Sequence, residues 1–212
     1  MKIAILGTGT VGQHLARGYI AKGHSVVFGS RSPDGENAAS AVAAAPGSQA
    51  ATFAAAAALA DWIVLATPWS ATADIIAAAK PSNFIGKLVV DATNPIDYSS
   101  GKPKLALGFT TSAGEQVQHW LPGANVVKAF NTVGAARMIE PHYSEGRPTM
   151  FIAGNDADAK ATVAKMLEQF GWEAIDAGAI DAARLLEPQA MLWIHYGLSS
   201  NTWNHAFKLL RI

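Results

Sequence analysis

The sequence predicts an α/β protein built on a doubly wound, mostly parallel sheet, with a helical extension at its C-terminal end. Three observations carry this reading. Strand-like and helix-like segments alternate along most of the chain. The strand-like runs are almost continuously apolar, as strands are when helices cover both faces of a parallel sheet. The first run ends in a glycine-rich turn, GTGTVG at Gly7–Gly12, that opens a helix, which is the context of a Rossmann-type nucleotide-binding unit.

Taken in order, Lys2–Leu6 is a short, β-branched first strand. Val11–Lys22 carries Val11, Leu15 and Tyr19 at helical spacing and stops at Gly23. His24–Gly29 reads as the second strand. The alanine tracts Ala38–Ala45 and Ala54–Ala60 read as helix, because alanine is the best helix former. Trp62–Pro68 and Lys87–Pro95 are apolar strands with polar ends. Asp97–Gly108, containing DYSSGKP, reads as a flexible loop. SAGE at Ser112–Glu115 has the form of a capping box, and its helix should end before Pro122 and Gly123. Asn125–Thr132, Pro148–Gly154 and Trp172–Gly178 are further strands, with a helix from Asp156 to Phe170 before the last. In the tail, Pro188 is expected in the first turn of a helix, and Ser199–Asn201 offers a break and a new N-cap. These elements divide into a Rossmann unit over residues 1–180 and a helical extension over 181–212.

The chain has 212 residues, half of them hydrophobic and 15% charged, which suits a compact core. Sixteen basic residues balance sixteen acidic ones, so no general field collects nucleic acid or anionic membrane. The absence of cysteine excludes disulfides, thiolate metal sites and a cysteine nucleophile, and it fits a reducing cytoplasm. Lys2 and the apolar run after it resemble the start of an export signal. GTGTVG interrupts the run and no A-x-A-like cleavage site follows, so it reads as a strand. No uncharged apolar stretch reaches the ~18 residues of a membrane span; the longest candidate, Ala54–Trp69, is split by Asp61. The histidines are scattered without ligand spacing, so no metal site is expected.

The glycine turn points to a dinucleotide. Gly7 permits the tight turn, Gly9 lets backbone approach a pyrophosphate, and Gly12 lets the helix pack close to the strand. Across Gly7, Thr8, Gly9, Thr10, Val11 and Gly12, the free N–H groups of the first helical turn face the phosphates, aided by the helix dipole. The end of the second strand selects the cofactor. An NAD site carries Asp or Glu there; this chain carries Ser30, Arg31 and Ser32. An arginine binds a 2′-phosphate through paired donors and stacks on adenine, and two flanking hydroxyls can add hydrogen bonds. The expected cofactor is therefore NADP(H). Asp34 and Glu36 follow closely and would weaken phosphate binding if they faced it. The remaining cofactor candidates sit at strand ends: Ala66, Thr67 and Pro68 beside the ribose, then Asn94, Ala129 and Asn131, with Asn131 set to hold the nicotinamide amide. Phe130 reads equally well as core. Lys128 lies within an apolar strand, where an uncovered charge is costly; it either pairs with a carboxylate or reaches the strand's end.

GTGTVG, GSRSP, DATNP and above all VVKAFNT together resemble the NADP oxidoreductases dependent on coenzyme F420, a deazaflavin. They resemble equally the homologous cytoplasmic domain of the six-transmembrane metalloreductases. The likeness runs from Met1 to about Asn155, and the tail LLEPQAMLWIHYG…HAFKLLR is similar to bacterial members of the same group. The resemblance implies a Rossmann domain with a small C-terminal extension, and NADPH at Gly7–Gly12 and Ser30–Arg31. It also implies a deazaflavin or flavin (FMN or FAD) over the nicotinamide near the C-terminal helices, and a homodimer with the tail in the contact. Where deazaflavin enzymes often place a second cation after the arginine, this chain has Ser-Pro-Asp-Gly-Glu.

Hydride transfer between two stacked rings asks little of side chains beyond proximity and orientation. Reduction of an imine or carbonyl instead needs a proton donor, for which His195, Tyr196 and Lys128 are the candidates. His195 shares a helix face with Leu192 and Ser199. Trp193 and Trp203 read as helix packing or dimer contact, and His205 as surface or interface. Three functions follow: an NADPH-dependent reductase of a deazaflavin or flavin acceptor, a small imine or carbonyl reductase, or an NADPH-binding redox sensor without turnover.

Overall fold

A computed structural model describes residues 1–211. Eight strands form one sheet in the order β10-β9-β8-β5-β4-β1-β2-β3. These are β1 (Lys2–Leu6), β2 (Ser25–Ser30), β3 (Gln49–Thr52), β4 (Trp62–Leu65), β5 (Leu88–Asp91), β8 (Asn125–Lys128), β9 (Thr149–Gly154) and β10 (Glu173–Asp176). All neighbours run parallel except β8 and β9. The chain steps outward from β1 to β2 and β3, then returns to β4 on the other side of β1. That reversal opens a crevice at the carboxyl ends of β1 and β4.

Alternate strand residues feed two cores. Ile3 and Ile5 point to the side covered by α1 (Thr10–Ala21), α2 (Glu36–Ala44) and α6 (Ala157–Gln169), where Leu15, Tyr19 and Phe170 are buried. Ala4 and Leu6 point to the side of α3 (Phe53–Leu59), α4 (Trp69–Ala79) and α5 (Ala113–Trp120), with Ala57, Ile76 and Val117. The doubly wound, mostly parallel sheet and the helical C-terminal element are thus as the sequence predicts, and both alanine tracts are helices.

Several expectations need correction. β3 (QAAT) was not foreseen, because alanine carries little strand signal; its pairing with β2 from Val27↔Gln49 to Ser30↔Thr52 holds it in place. The expected strands at Trp62–Pro68, Lys87–Pro95 and Asn125–Thr132 end at Leu65, Asp91 and Lys128. Their polar ends leave the ladder and bond to side chains and loops instead. Within the expected loop, β6 (Ile96–Asp97) and β7 (Lys104–Leu105) form an antiparallel hairpin. Asp97 Oδ1 accepts from Ser99 N at 2.8 Å, and Asp97 pairs with Lys104 at 3.2 Å.

The tail departs furthest. One helix, α7 (Ala183–Ser200), contains Pro188 in its interior rather than its first turn. The proline removes one intrahelical bond and sits exposed, while Ala183, Leu186, Ala190 and Trp193 stay buried. Asn201 takes the left-handed conformation (φ 51°) and ends α7, but no second helix follows. Residues 202–211 form neither helix nor strand. Thr149 N donates to the Phe207 carbonyl at 2.8 Å, and Lys208 and Arg211 both pair with Glu173.

Candidate functional site

A cleft of about 600 Å³ opens where β1 and β4 part. Gly7, Thr8, Gly9, Ser30, Arg31, Ser32, Ala66, Thr67 and Pro68 all line it. Gly7 has φ +127°, and a methyl there would lie 2.2 Å from the Ala66 carbonyl oxygen. A methyl on Gly12 would lie 2.4 Å from the Gly7 carbonyl oxygen, so α1 can start this close to β1 only with glycine. Gly9 is different: nothing stands within 4 Å of its missing side chain, and its backbone faces open cleft. Thr10, Val11 and Gly12 belong to α1 and do not line the cleft.

Arg31 lies exposed on the rim, and its guanidinium makes no hydrogen bond or ion pair among the described residues. The two serines differ. Ser30 Oγ donates to the Ser32 carbonyl at 3.1 Å, so its proton is committed to the turn; Ser32 keeps a free hydroxyl. Thr67 Oγ sits 2.8 Å from Thr72 Oγ1, which itself donates to the Pro68 carbonyl, so the Thr67 proton is also used internally. Glu36 lines the cleft and Asp34 does not. Phe53, Ala71, Ile75 and Asn37 complete the walls, and sequence spacing gave no sign of them, because they come from separate helices.

A second cluster lies further along the carboxyl edge of the sheet, beyond β4. Asn94, Ala129 and Asn131 follow the ends of β5 and β8 and lie outside the cleft lining. Asn131 Nδ2 donates to the Leu186 carbonyl at 2.8 Å and to Asn94 Oδ1 at 3.2 Å. Asn94 Nδ2 returns a bond to the Asn131 carbonyl at 2.7 Å. Asn131 Oδ1 is left buried with no donor, an acceptor awaiting a partner. Phe130 is fully buried core, with φ +63°.

One level below, Lys128 is fully buried and pairs with Asp91 at 2.9 Å and Glu187 at 3.0 Å. Burial works against its charge, but the two carboxylates outweigh that and hold its pKa above the usual lysine range. Glu187 also accepts from Ala113 N at 2.9 Å and Gly114 N at 3.0 Å, the first amides of α5. Of the two alternatives the sequence leaves open for Lys128, the structure takes the pairing with a carboxylate; the second carboxylate and its place in α7 had no sequence signal.

His195 and Tyr196 are exposed on α7 and line neither the cleft nor any other cavity described. Trp193 is packed inside, and a methyl on Gly134 would lie 3.0 Å from its ring. His205 is half-buried. Its ring stacks on Trp193 at 4.6 Å, meets Tyr196 edge-on at 4.7 Å, and Nε2 lies 3.0 Å from the Trp193 carbonyl. Beyond α7 a larger, mostly apolar groove of about 930 Å³ runs between the segment after β7 and the first turns of α7. Leu105, Leu107, Phe109, Leu185 and Pro188 line it, with Arg184 and Asp181 at its edge. Among the described residues, no group of His, Cys, Asp and Glu is arranged to hold a metal ion, and no helix is long and apolar enough to cross a membrane.

With this geometry in place, comparison with known proteins is informative. A family model described as NADP oxidoreductase, coenzyme F420-dependent, matches residues 2–95. The F420-dependent NADP reductase of Methanothermobacter thermautotrophicus is 30% identical over an alignment covering 100% of this chain and 96% of that one. Metalloreductase STEAP3 of Rattus norvegicus is 27% identical over 88% of this chain but only 36% of its own length. Among solved structures, a protein from Arthrobacter sp. FB24, provisionally assigned as an F420-dependent NADP reductase, superposes with TM-score 0.94 and 38% identity over 100% of both chains. A reductive aminase from Aspergillus terreus solved with NADPH has TM-score 0.69 at 21% identity, over 94% of this chain and 63% of that one; it shares the fold.

Proposed function

The chain belongs to the coenzyme F420-dependent NADP oxidoreductases, and from that premise we propose that it transfers hydride between NADP(H) and a deazaflavin or flavin ring. The observation that carries the proposal is the pairing of an open glycine cleft with an arginine free of protein partners. Gly7, Gly9 and the α1 amides hold the pyrophosphate, and Arg31 with the Ser32 hydroxyl holds the 2′-phosphate. Glu36 lowers that affinity without cancelling it. Asn131 Oδ1, buried and lacking a donor, receives the nicotinamide carboxamide. NADPH, when bound, supplies two electrons and a proton together as hydride.

The remaining parts fall to residues 181–212. The apolar groove beside α7 offers a flat ring the walls it needs. Leu185, Leu192 and Tyr196 form one exposed stripe along α7, at intervals of seven and four residues, and this stripe is the contact of a homodimer. Residues 1–180 form the NADP(H) unit. An imine or carbonyl reductase would require a proton donor; His195 and Tyr196 line none of the cavities described, and Lys128 is buried between Asp91 and Glu187.

The reading is tested with NADPH deuterated at the transferring position of C4, mixed anaerobically with the deazaflavin coenzyme. Deuterium is expected on the ring carbon of the acceptor. Deuterium in water, with none on the ring, would contradict direct transfer.

A further inference from the structure

Two rungs of side chains bridge β5 and β8 at the carboxyl edge of the sheet. The lower rung is Asp91 and Lys128, which face one another in the strand register. The upper rung is Asn94 and Asn131, each three residues further on. Consecutive residues of α7 fasten to the two rungs: the Leu186 carbonyl to Asn131, and the Glu187 carboxylate to Lys128. Glu187 is 1% exposed and every partner around it is satisfied: Lys128, Ala113 N and Gly114 N. Asp91 is equally saturated, by Lys128 and by Thr93 through N at 2.9 Å and Oγ1 at 2.7 Å.

A buried ionic cluster of this kind is a poor source of stability, since desolvation offsets most of its attraction. It is a strong source of register. A slip of α7 along the sheet would strip the buried Glu187 carboxylate of Lys128 and both α5 amides, and leave Lys128 with Asp91 alone. The register it enforces is the one that places the Leu186 carbonyl against Asn131 Nδ2. That bond decides which way the Asn131 amide points, and so leaves Oδ1 as the unpaired atom.

We propose that Glu187 and Lys128 are positioning residues that lock α7 so that Leu186 orients the Asn131 amide, with Oδ1 presented to the nicotinamide carboxamide. The inference rests on Asn131 being the nicotinamide anchor. Neither Glu187 nor Lys128 touches the cofactor; both act through Leu186 and Asn131.

The test separates the two halves of the cofactor. 2′,5′-ADP carries the groups that Arg31 and Ser32 bind and lacks nicotinamide. Titrating Glu187→Gln with 2′,5′-ADP and with NADPH should show 2′,5′-ADP binding as in the parent protein and NADPH binding weakened about tenfold, the size of one oriented hydrogen bond. Equal binding of NADPH by variant and parent would overturn the proposal, as would equal loss of both ligands, which marks general disruption. If the amide variant does not fold, Glu187→Asp retains the charge, but its shorter side chain cannot reach Lys128 and both amides together. The same selective loss is expected from it, and its absence is equally decisive. Asn131→Ala keeps the two claims apart. If it binds NADPH as the parent does, the anchor reading falls. If it loses NADPH affinity selectively while both Glu187 variants do not, the anchor stands and the positioning role falls.

Discussion

Arg31 and Gly7 show how much chemistry a single residue can declare. A cation at the end of the second strand, where a carboxylate would bind a plain ribose, is visible in the sequence, and the structure leaves that cation without a protein partner. Arg31→Ala should weaken NADPH binding by about 1.5–3 kcal/mol, the range for a hydrogen bond to a charged group, and leave NADH binding nearly unchanged. Calorimetric titration of both cofactors checks this; equal loss for both would remove the 2′-phosphate role. Gly7→Ala combines a left-handed φ with a methyl 2.2 Å from a backbone oxygen. A cost of about 1–3 kcal/mol in unfolding free energy is expected from the backbone strain, together with loss of cofactor binding, read by urea denaturation and titration. Other residues were only half legible. Lys128 announces itself as a charge in an apolar strand, but Glu187 lies far downstream in a tail with no pattern that ties it to β8. Asn131 could be named, but its orientation depends on the carbonyl of Leu186, 55 residues away.

At the scale of elements, local signals were read well wherever the element satisfies itself. The SAGE segment caps α5 as its composition predicts: Ser112 Oγ accepts from Glu115 N at 3.1 Å. The reciprocal half of the box differs, because the Glu115 carboxylate turns to the Ser112 hydroxyl and to Arg184 of α7. Ser112→Ala should cost about 0.5–2 kcal/mol, the usual value of an N-cap, and calorimetric or denaturant melts measure it. Elements that depend on distant partners were misread. Pro188 and the two-residue strands β6 and β7 follow packing rather than propensity. The tail after α7 is held at Glu173, whose carboxyl the Lys208 ammonium, joined by Arg211, pulls down to about 2 from an ordinary 4.5. A depressed carboxyl pKa means that this contribution is complete above pH 4.5 and is lost as the pH falls toward 2. Fluorescence of Trp193 and Trp203 should report the tail loosening over that window. In Glu173→Gln the acid-dependent step should disappear.

Over the whole molecule, the order of strands is what makes a cofactor site: the reversal at β1 opens the crevice, and α7 fastens to the second cluster. The alternation of apolar runs sufficed to foresee the inner strands, which are buried on both faces, but not the edge strand β3, which has no buried residue. The route of the tail was not foreseeable, because it is set by contacts with β9, α5 and Gly134 that no local pattern encodes. The exposed stripe of Leu185, Leu192 and Tyr196 predicts self-association. Sedimentation should show a dimer for the parent chain and a monomer for Leu192→Asp combined with Tyr196→Asp, with NADPH affinity retained in both. The proposed function stands on the passage of electrons from NADPH to a tricyclic ring. Its most direct test is anaerobic NADPH oxidation by the pure protein, with deazaflavin coenzyme, FMN and FAD supplied separately. Rapid NADPH consumption is expected with one of the three, and little with NADH in its place. Tight NADPH binding with no turnover on any of them would contradict it.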